Sequence, residues 1–347
     1  MASDHEPEHL ALRPLGWTDD RRADGDRLFA EGLVPGRVSL EHNHVYRVLT
    51  AGGERLAETA GRLKHQAGGR DELPVVGDWV GLRVDPRSDR AQIREILPRR
   101  TRFSRKVAGR VTTEQVLAAN VDTVFVVFPL GGPLKTRAIE RYLVAARQSG
   151  ARPIVVLNKA DLGDDPAERV RDVAAVAGGA PVRAVSAKTG DGLDALEHEL
   201  VTGRTIALLG PSGAGKSSIV NRLIGDERLP TGEVRPWDAR GRHTSVHRQL
   251  VVRAAGGLVI DTPGIRELQI WETDAVDAAF TDIAGLGASC RFRDCRHDRE
   301  PGCAVKAAVE AGTLDAGRYQ NFLKLQHEER ALAERKEARS GRPRSNR

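Results

Sequence analysis

Hydrophobic and polar positions are patterned differently in successive stretches of the chain. Residues 1–33 are polar and charged with no sustained apolar period, and read as a flexible N-terminal extension. Apolar residues then fall in short runs at 38–40, 45–49, 75–84 and 91–96, separated by Gly52-Gly53, Gly68-Gly69 and Asp85-Pro86. Short strands between Gly/Pro turns predict a small closed β-barrel over 34–100, OB-like, with an SH3-like barrel as the nearest alternative. At 121–128 and 153–157 the pattern becomes almost continuously apolar, as in parallel strands buried on both faces. Residues 137–148 have helical spacing through Ile139, Leu143 and Val144. Further on, 181–185 and 205–209 read as strands, 191–200 and 216–224 as helices, and 249–253 with 258–260 as a strand pair around Gly256-Gly257. Strands alternating with helices predict a doubly wound α/β domain over 118–272. Residues 273–339 read as helical and polar, and 340–347 as a disordered tail.

Short polar motifs follow the predicted strands, where open α/β sheets bind ligands. Gly210-Pro211-Ser212-Gly213-Ala214-Gly215-Lys216-Ser217, continued by Ser218, lies between a strand and a helix and fits the phosphate-loop pattern. Its glycines let backbone N–H groups wrap a β-phosphate at a helix N-terminus. Lys216 is placed for the β/γ oxygens, and Ser217 for the Mg²⁺ that bridges them. Asn158-Lys159-Ala160-Asp161 and Ser186-Ala187-Lys188-Thr189-Gly190 choose the base. Asp161 can accept from guanine N1–H and the 2-amino group. Adenine offers neither donor, so a site of this kind rejects it by a factor of about 10⁴–10⁵. Asn158 braces the site, the Lys159 stem packs over the base, and backbone N–H groups near Ala187 meet guanine O6.

Asp261-Thr262-Pro263-Gly264 supplies a carboxylate to hold Mg²⁺ through water, and the Gly264 amide for the γ-phosphate. Residues 240–247 lie where a first switch belongs. Thr244 and Ser245 are the candidate Mg²⁺ hydroxyls there, and His243 either orients the attacking water or is a surface-loop histidine. Ile265 stands near the place where many GTPases carry a water-positioning Gln. An apolar side chain cannot orient water, so another group must, or hydrolysis stays near about 10⁻⁴–10⁻² s⁻¹. Ordinary GTPases run phosphate loop, DTPG, NKxD, SAK. Here NKAD and SAK come first, so the order is circularly permuted, and the γ-phosphate sensor leads straight into the C-terminal region.

All three cysteines lie within 14 residues, as Cys290-x4-Cys295-x-His297-x5-Cys303. Three thiols and an imidazole fit one closed tetrahedral Zn²⁺ site of structural type. The alternative is three buried free thiols. Clustered cysteines point to metal ligation in a reducing compartment rather than to a disulfide framework. Arg291, Phe292, Arg293, Arg296 and Arg299 intersperse the ligands and could also touch RNA.

Net charge of +6 suits a polyanionic partner such as RNA, or else reflects an Arg-rich surface. Arg99, Arg100, Arg102, Arg105, Lys106 and Arg110 form a run without an acid, which reads as a basic linker over 101–117 that contacts RNA or is merely solvated. No apolar run approaches the ~18–20 residues of a membrane span, and the N-terminus has no secretory pattern. A cytoplasmic monomer with no membrane or DNA partner is expected.

On these residues the chain resembles the ribosome small subunit-dependent GTPase A family of circularly permuted bacterial GTPases. The resemblance covers about 36–326. It rests on the permuted motifs, the Cys-Cys-His-Cys spacing, the Gly241-Arg242-His243-Thr244 segment and Ala118-Ala119-Asn120-Val121-Asp122. It implies GTP/GDP, Mg²⁺ and one Zn²⁺ as cofactors, and a late-stage assembly factor that binds the RNA of the small ribosomal subunit. It also implies hydrolysis stimulated by that subunit, with the family's catalytic histidine falling on His243. The family reads His-Thr-Thr-Thr where this chain has Ser245-Val246 after Thr244, which leaves open which hydroxyl ligates Mg²⁺. The 1–33 extension has no role in that resemblance. Rival readings are an RNA-binding factor whose nucleotide is only a structural or regulatory ligand, and a P-loop kinase, against which Asp161 argues.

Overall fold

The computed structural model describes residues 5–85, 87–88, 90–107, 113–132, 135–225, 248–261, 276 and 279–340. Residues 5–33, within the stretch expected to be flexible, are instead folded. Helices α1 (Glu6–Leu12) and α2 (Arg22–Ala30) bring Leu12, Trp17, Leu28 and Leu33 into one buried cluster with Trp79 and Leu97 of the barrel. Trp17 meets Trp79 edge-on at 4.7 Å. The Trp17 indole N–H donates to His9 Nδ1 at 3.1 Å, and His9 Nε2 donates to Asp26 at 2.9 Å. These apolar residues are spread over two short helices and a turn, so no single period reveals them.

The barrel consists of β1 (Val34–His42), β2 (Val45–Thr50), β3 (Gly53–Thr59), β4 (Trp79–Arg83) and β5 (Arg90–Ile96), with the short α3 (Gly61–Gln66) after β3. Its order is β1-β2-β3-β5-β4, and β4 pairs back onto β1, closing an OB-like barrel. Strand β3 escapes the hydrophobic pattern because only Ala57 of its residues is buried, while Leu56 is 43 % exposed. The described residues of the 101–117 segment are strand rather than extended linker. They form an antiparallel strand pair, β6 (Arg102–Val107) with β7 (Thr113–Ala119), anchored by buried Phe103 and Leu117.

The main sheet continues with β8 (Thr123–Pro129), β9 (Arg152–Asn158), β10 (Val182–Ala184), β11 (Thr205–Leu209), β12 (Gln249–Val252) and β13 (Leu258–Asp261). The order is β10-β9-β8-β11-β13-β12, parallel except for β12. Helices α4 (Thr136–Gln148) and α5 (Pro166–Val176) cover one face; α6 (Asp194–Glu197) and α7 (Lys216–Ile224) cover the other. Helix α5, absent from the sequence pattern, starts with Asp165 accepting from the Glu168 N–H at 2.9 Å and Pro166 in the first turn, a legible N-cap signal. The helix expected over 191–200 shrinks to α6 flanked by turns, although Leu193, Leu196 and Leu200 are still buried. A single register pair, Leu40 with Gln249, splices barrel strand β1 to β12.

Helices α8 (Thr281–Gly287), α9 (Ala304–Glu310) and α10 (Ala316–Ser340) pack Phe280, Ile283, Val305 and Phe322 against Val144 of α4. Arg318 grips Asp282 through two hydrogen bonds of 2.7 Å and also pairs with buried Glu140 on α4.

Candidate functional site

Strand β11 is buried along its length and delivers the phosphate loop at the carboxyl edge of the sheet. Gly210 has φ 140°, and a Cβ there would lie 2.0 Å from the Val127 carbonyl oxygen, so only glycine lets the loop leave the strand so close to β8. Gly215, at φ 86°, caps α7, and a Cβ there would collide with Asn158 Nδ2 at 2.2 Å. Lys216, Ser217 and Ser218 form the first turn of α7. Lys216 Nζ arches back over the loop and donates to the carbonyls of Gly210 (2.7 Å) and Pro211 (2.8 Å). A Gly-rich loop at a helix N-terminus, with an ammonium held across it, is built for phosphate.

Asn158 ends β9 and is 1 % exposed. Its Nδ2 donates to the Ala214 carbonyl at 2.9 Å, and its Oδ1 accepts from the Ala187 N–H at 3.0 Å. One amide thus ties the phosphate loop to the Ser186–Ala187–Lys188 turn. Lys159 follows in left-handed conformation, φ 64°, which turns the chain sharply after the strand. The Ser186 hydroxyl donates to Asp161 at 2.6 Å and accepts from the Thr189 N–H at 3.1 Å. That hydroxyl bond is the main reason the Asp161 carboxyl sits below its usual range, with Lys188, 3.9 Å away, adding to it. The carboxylate is therefore fixed as an acceptor. Asn158, Lys159, Asp161, Ala187, Lys188 and Ser218 line a cavity of about 720 Å³. Asp261 ends β13, which runs parallel to β11 with Ile260 beside Ala207, and so lies next to the root of the phosphate loop. Gly264, His243, Thr244 and Ser245 lie outside the described residues.

The second cluster brings Cys290, Cys295, His297 and Cys303 together, with all four ligand atoms within 4.8 Å of one another. His297 Nδ1 is 3.5 Å from the sulfurs of Cys290 and Cys303, which are 3.9 Å apart. Tetrahedral Zn²⁺ with bonds of ~2.3 Å to sulfur and ~2.0 Å to nitrogen demands separations of about 3.5–3.8 Å. The donor set fits zinc, and the separations among Cys290, His297 and Cys303 lie close to those values. The Ala304 N–H donates to Cys290 Sγ at 3.3 Å, as backbone amides do toward a thiolate, and the Tyr319 hydroxyl holds the His297 carbonyl at 2.5 Å.

A family model described as RsgA GTPase matches residues 96–271. The chain belongs to the RsgA GTPase family. Among curated relatives, the small ribosomal subunit biogenesis GTPase RsgA of Opitutus terrae is 48 % identical, over 94 % of this chain and 92 % of that protein. The protein of the same name from Streptomyces coelicolor is 43 % identical over 96 % and 90 %. Among solved structures, YjeQ from Thermotoga maritima aligns with a TM-score of 0.64 at 29 % identity, covering 86 % of this chain and 98 % of that one. YloQ, titled a circularly permuted GTPase, gives 0.62 at 25 % identity, over 90 % and 97 %.

For an RsgA-family chain, two parts of the site were not singled out from sequence. Arg222 on α7 lines the same cavity and donates to the carbonyls of Ala187 (3.0 Å) and Lys188 (2.8 Å), tying the Ser186–Ala187–Lys188 turn to that helix. Glu140 and Arg318 join the GTPase domain to the zinc-cluster helices. Burial pushes the Glu140 carboxyl above its usual range, and Arg318 only partly offsets that. A lone Arg or Glu on an amphipathic helix carries no motif, so neither signal rises above an ordinary solvated charge.

Proposed function

We propose that this GTPase is a late-stage assembly factor of the small ribosomal subunit, docking on its RNA with GTP bound and leaving after hydrolysis. What supports the reading most is the meeting of the permuted base and phosphate motifs in one cavity, in a chain alike over almost its whole length to proteins named for small-subunit biogenesis. Lys216 and the loop amides would hold the β- and γ-phosphates, while Asp161 reads the base. Ser217 and Asp261 would hold Mg²⁺, with Thr244 or Ser245 completing its shell; the ion neutralises charge developing on the phosphates. His243 orients the attacking water, the place that Ile265 cannot fill. The Cys290, Cys295, His297 and Cys303 set holds one Zn²⁺ in a purely structural role. The barrel, the basic β6–β7 strand pair and the Arg-rich zinc segment form the RNA-binding surface of a cytoplasmic monomer with no DNA or membrane partner.

A short stretch separates Gly264 from Cys290, so the γ-phosphate sensor leads directly into the zinc-binding region. GTP should favour docking and GDP release. Affinity for purified small subunits is measured with GDP and with a non-hydrolysable GTP analogue. Tighter binding with the analogue is expected; equal affinity would sink the switch.

A further inference from the structure

The Ser186–Gly190 turn places all but one of its backbone N–H groups in hydrogen bonds. Ser186 donates to the Asp191 carbonyl (2.9 Å) and Gly190 to the Ser186 carbonyl (2.8 Å). Ala187 donates to Asn158 Oδ1 and Thr189 to Ser186 Oγ. The Lys188 N–H has no partner among the described residues, and Lys188 lines the nucleotide cavity. Among the backbone N–H groups near Ala187 that are expected to meet guanine O6, that of Ala187 itself is already engaged by Asn158.

The Lys188 N–H shares its peptide plane with the Ala187 carbonyl, and in a trans peptide the two point in opposite directions. That carbonyl is the one Arg222 Nε holds at 3.0 Å. The next peptide is gripped at both ends: Arg222 Nη2 holds the Lys188 carbonyl at 2.8 Å, and Ser186 Oγ holds the Thr189 N–H at 3.1 Å. Ser186 in turn donates to Asp161. A planar guanidinium with a fixed fork suits two successive carbonyls in a way that a lysine ammonium does not.

We propose that Arg222 is a positioning residue for guanine recognition: by gripping the Ala187 and Lys188 carbonyls it aims the Lys188 N–H at the base O6. This rests on the GTP reading above. The chemistry selected is a purine with a 6-oxo group. Arg222 is itself exposed, so its replacement leaves the buried face of α7 intact.

The test is calorimetric affinity for GDP, for inosine diphosphate, which keeps O6 and N1–H but lacks the 2-amino group, and for 2-aminopurine riboside diphosphate, which keeps the amino group but lacks O6 and with it the N1 proton. Arg222→Met should weaken GDP and inosine diphosphate alike, by about tenfold. The analogue without O6 should change by less than about twofold, since it never used the bond. Arg222→Lys, with one donor direction instead of a fork, should recover part of the loss. Equal weakening of all three ligands would mean a merely structural role and overturn the proposal, as would unchanged GDP affinity. A wild-type protein that binds ADP as well as GDP would instead overturn the guanine reading beneath it.

Discussion

The nucleotide pocket and the zinc cluster each gather polar groups from irregular chain, but they are held by different means. The pocket draws on three separate stretches of chain, which the sheet brings together: Asn158 bonds to Ala214 and Ala187, Ser186 to Asp161, and Arg222 to Ala187. It is preorganised by the protein itself. The four candidate zinc ligands lie within 14 residues, on a segment that the Tyr319 hydroxyl and the Phe280–Phe322 core hold from one side. A metal shared by the four donors would close that segment, so its order should depend on the ion, whereas the polar network of the pocket should persist without a ligand.

Metal removal should therefore produce the largest effect and fall on one region only. Structural zinc contributes apparent folding energies of about 10–16 kcal/mol. Stripping it with a chelator, or Cys303→Ser, should abolish the thermal transition of the C-terminal helices while GDP affinity shifts by less than about threefold. Scanning calorimetry with zinc quantitation checks both halves; a parallel collapse of GDP binding would mean the two regions fold as one.

Asn158→Ala makes the reciprocal break. It strands the Ala214 carbonyl and the Ala187 N–H, at about 1–3 kcal/mol for each buried group. GDP affinity should fall by roughly 10²-fold with zinc content unchanged.

The joint between the regions should respond least. Glu140→Gln leaves Arg318 paired with Asp282 and should cost about 1–2 kcal/mol by chemical denaturation. Because the folded Glu140 carboxyl titrates above its usual range, its ionised form is disfavoured in the fold. That penalty is absent below the ordinary carboxylate value, grows as pH rises through the raised folded one, and disappears with Gln. The variant should therefore lose more stability near pH 4 than near pH 7; the opposite trend would mean that Arg318 more than offsets the burial of Glu140.

Both clusters could be picked out in sequence as candidate sites, for the reasons that make them different. The pocket could be read because each motif follows an apolar strand, so a parallel sheet brings them to one edge. The cluster could be read because its ligands are adjacent. Strand β3 could not, since its pairing owes almost nothing to side-chain burial, with Ala57 its one buried residue. The N-terminal helices were missed because Trp17 and Leu28 are buried by Trp79 and Leu97, more than fifty residues away along the chain. Arg222 was invisible because its role lies in which carbonyls it meets, and a sequence records only that an arginine is there.

GTP turnover by the purified protein, alone, with small ribosomal subunits and with large ones, tests the central claim most directly, with Lys216→Ala as the blank. Stimulation by small subunits alone, lost in the Lys216→Ala protein, is the expected result. Slow and equal turnover in all three would contradict it.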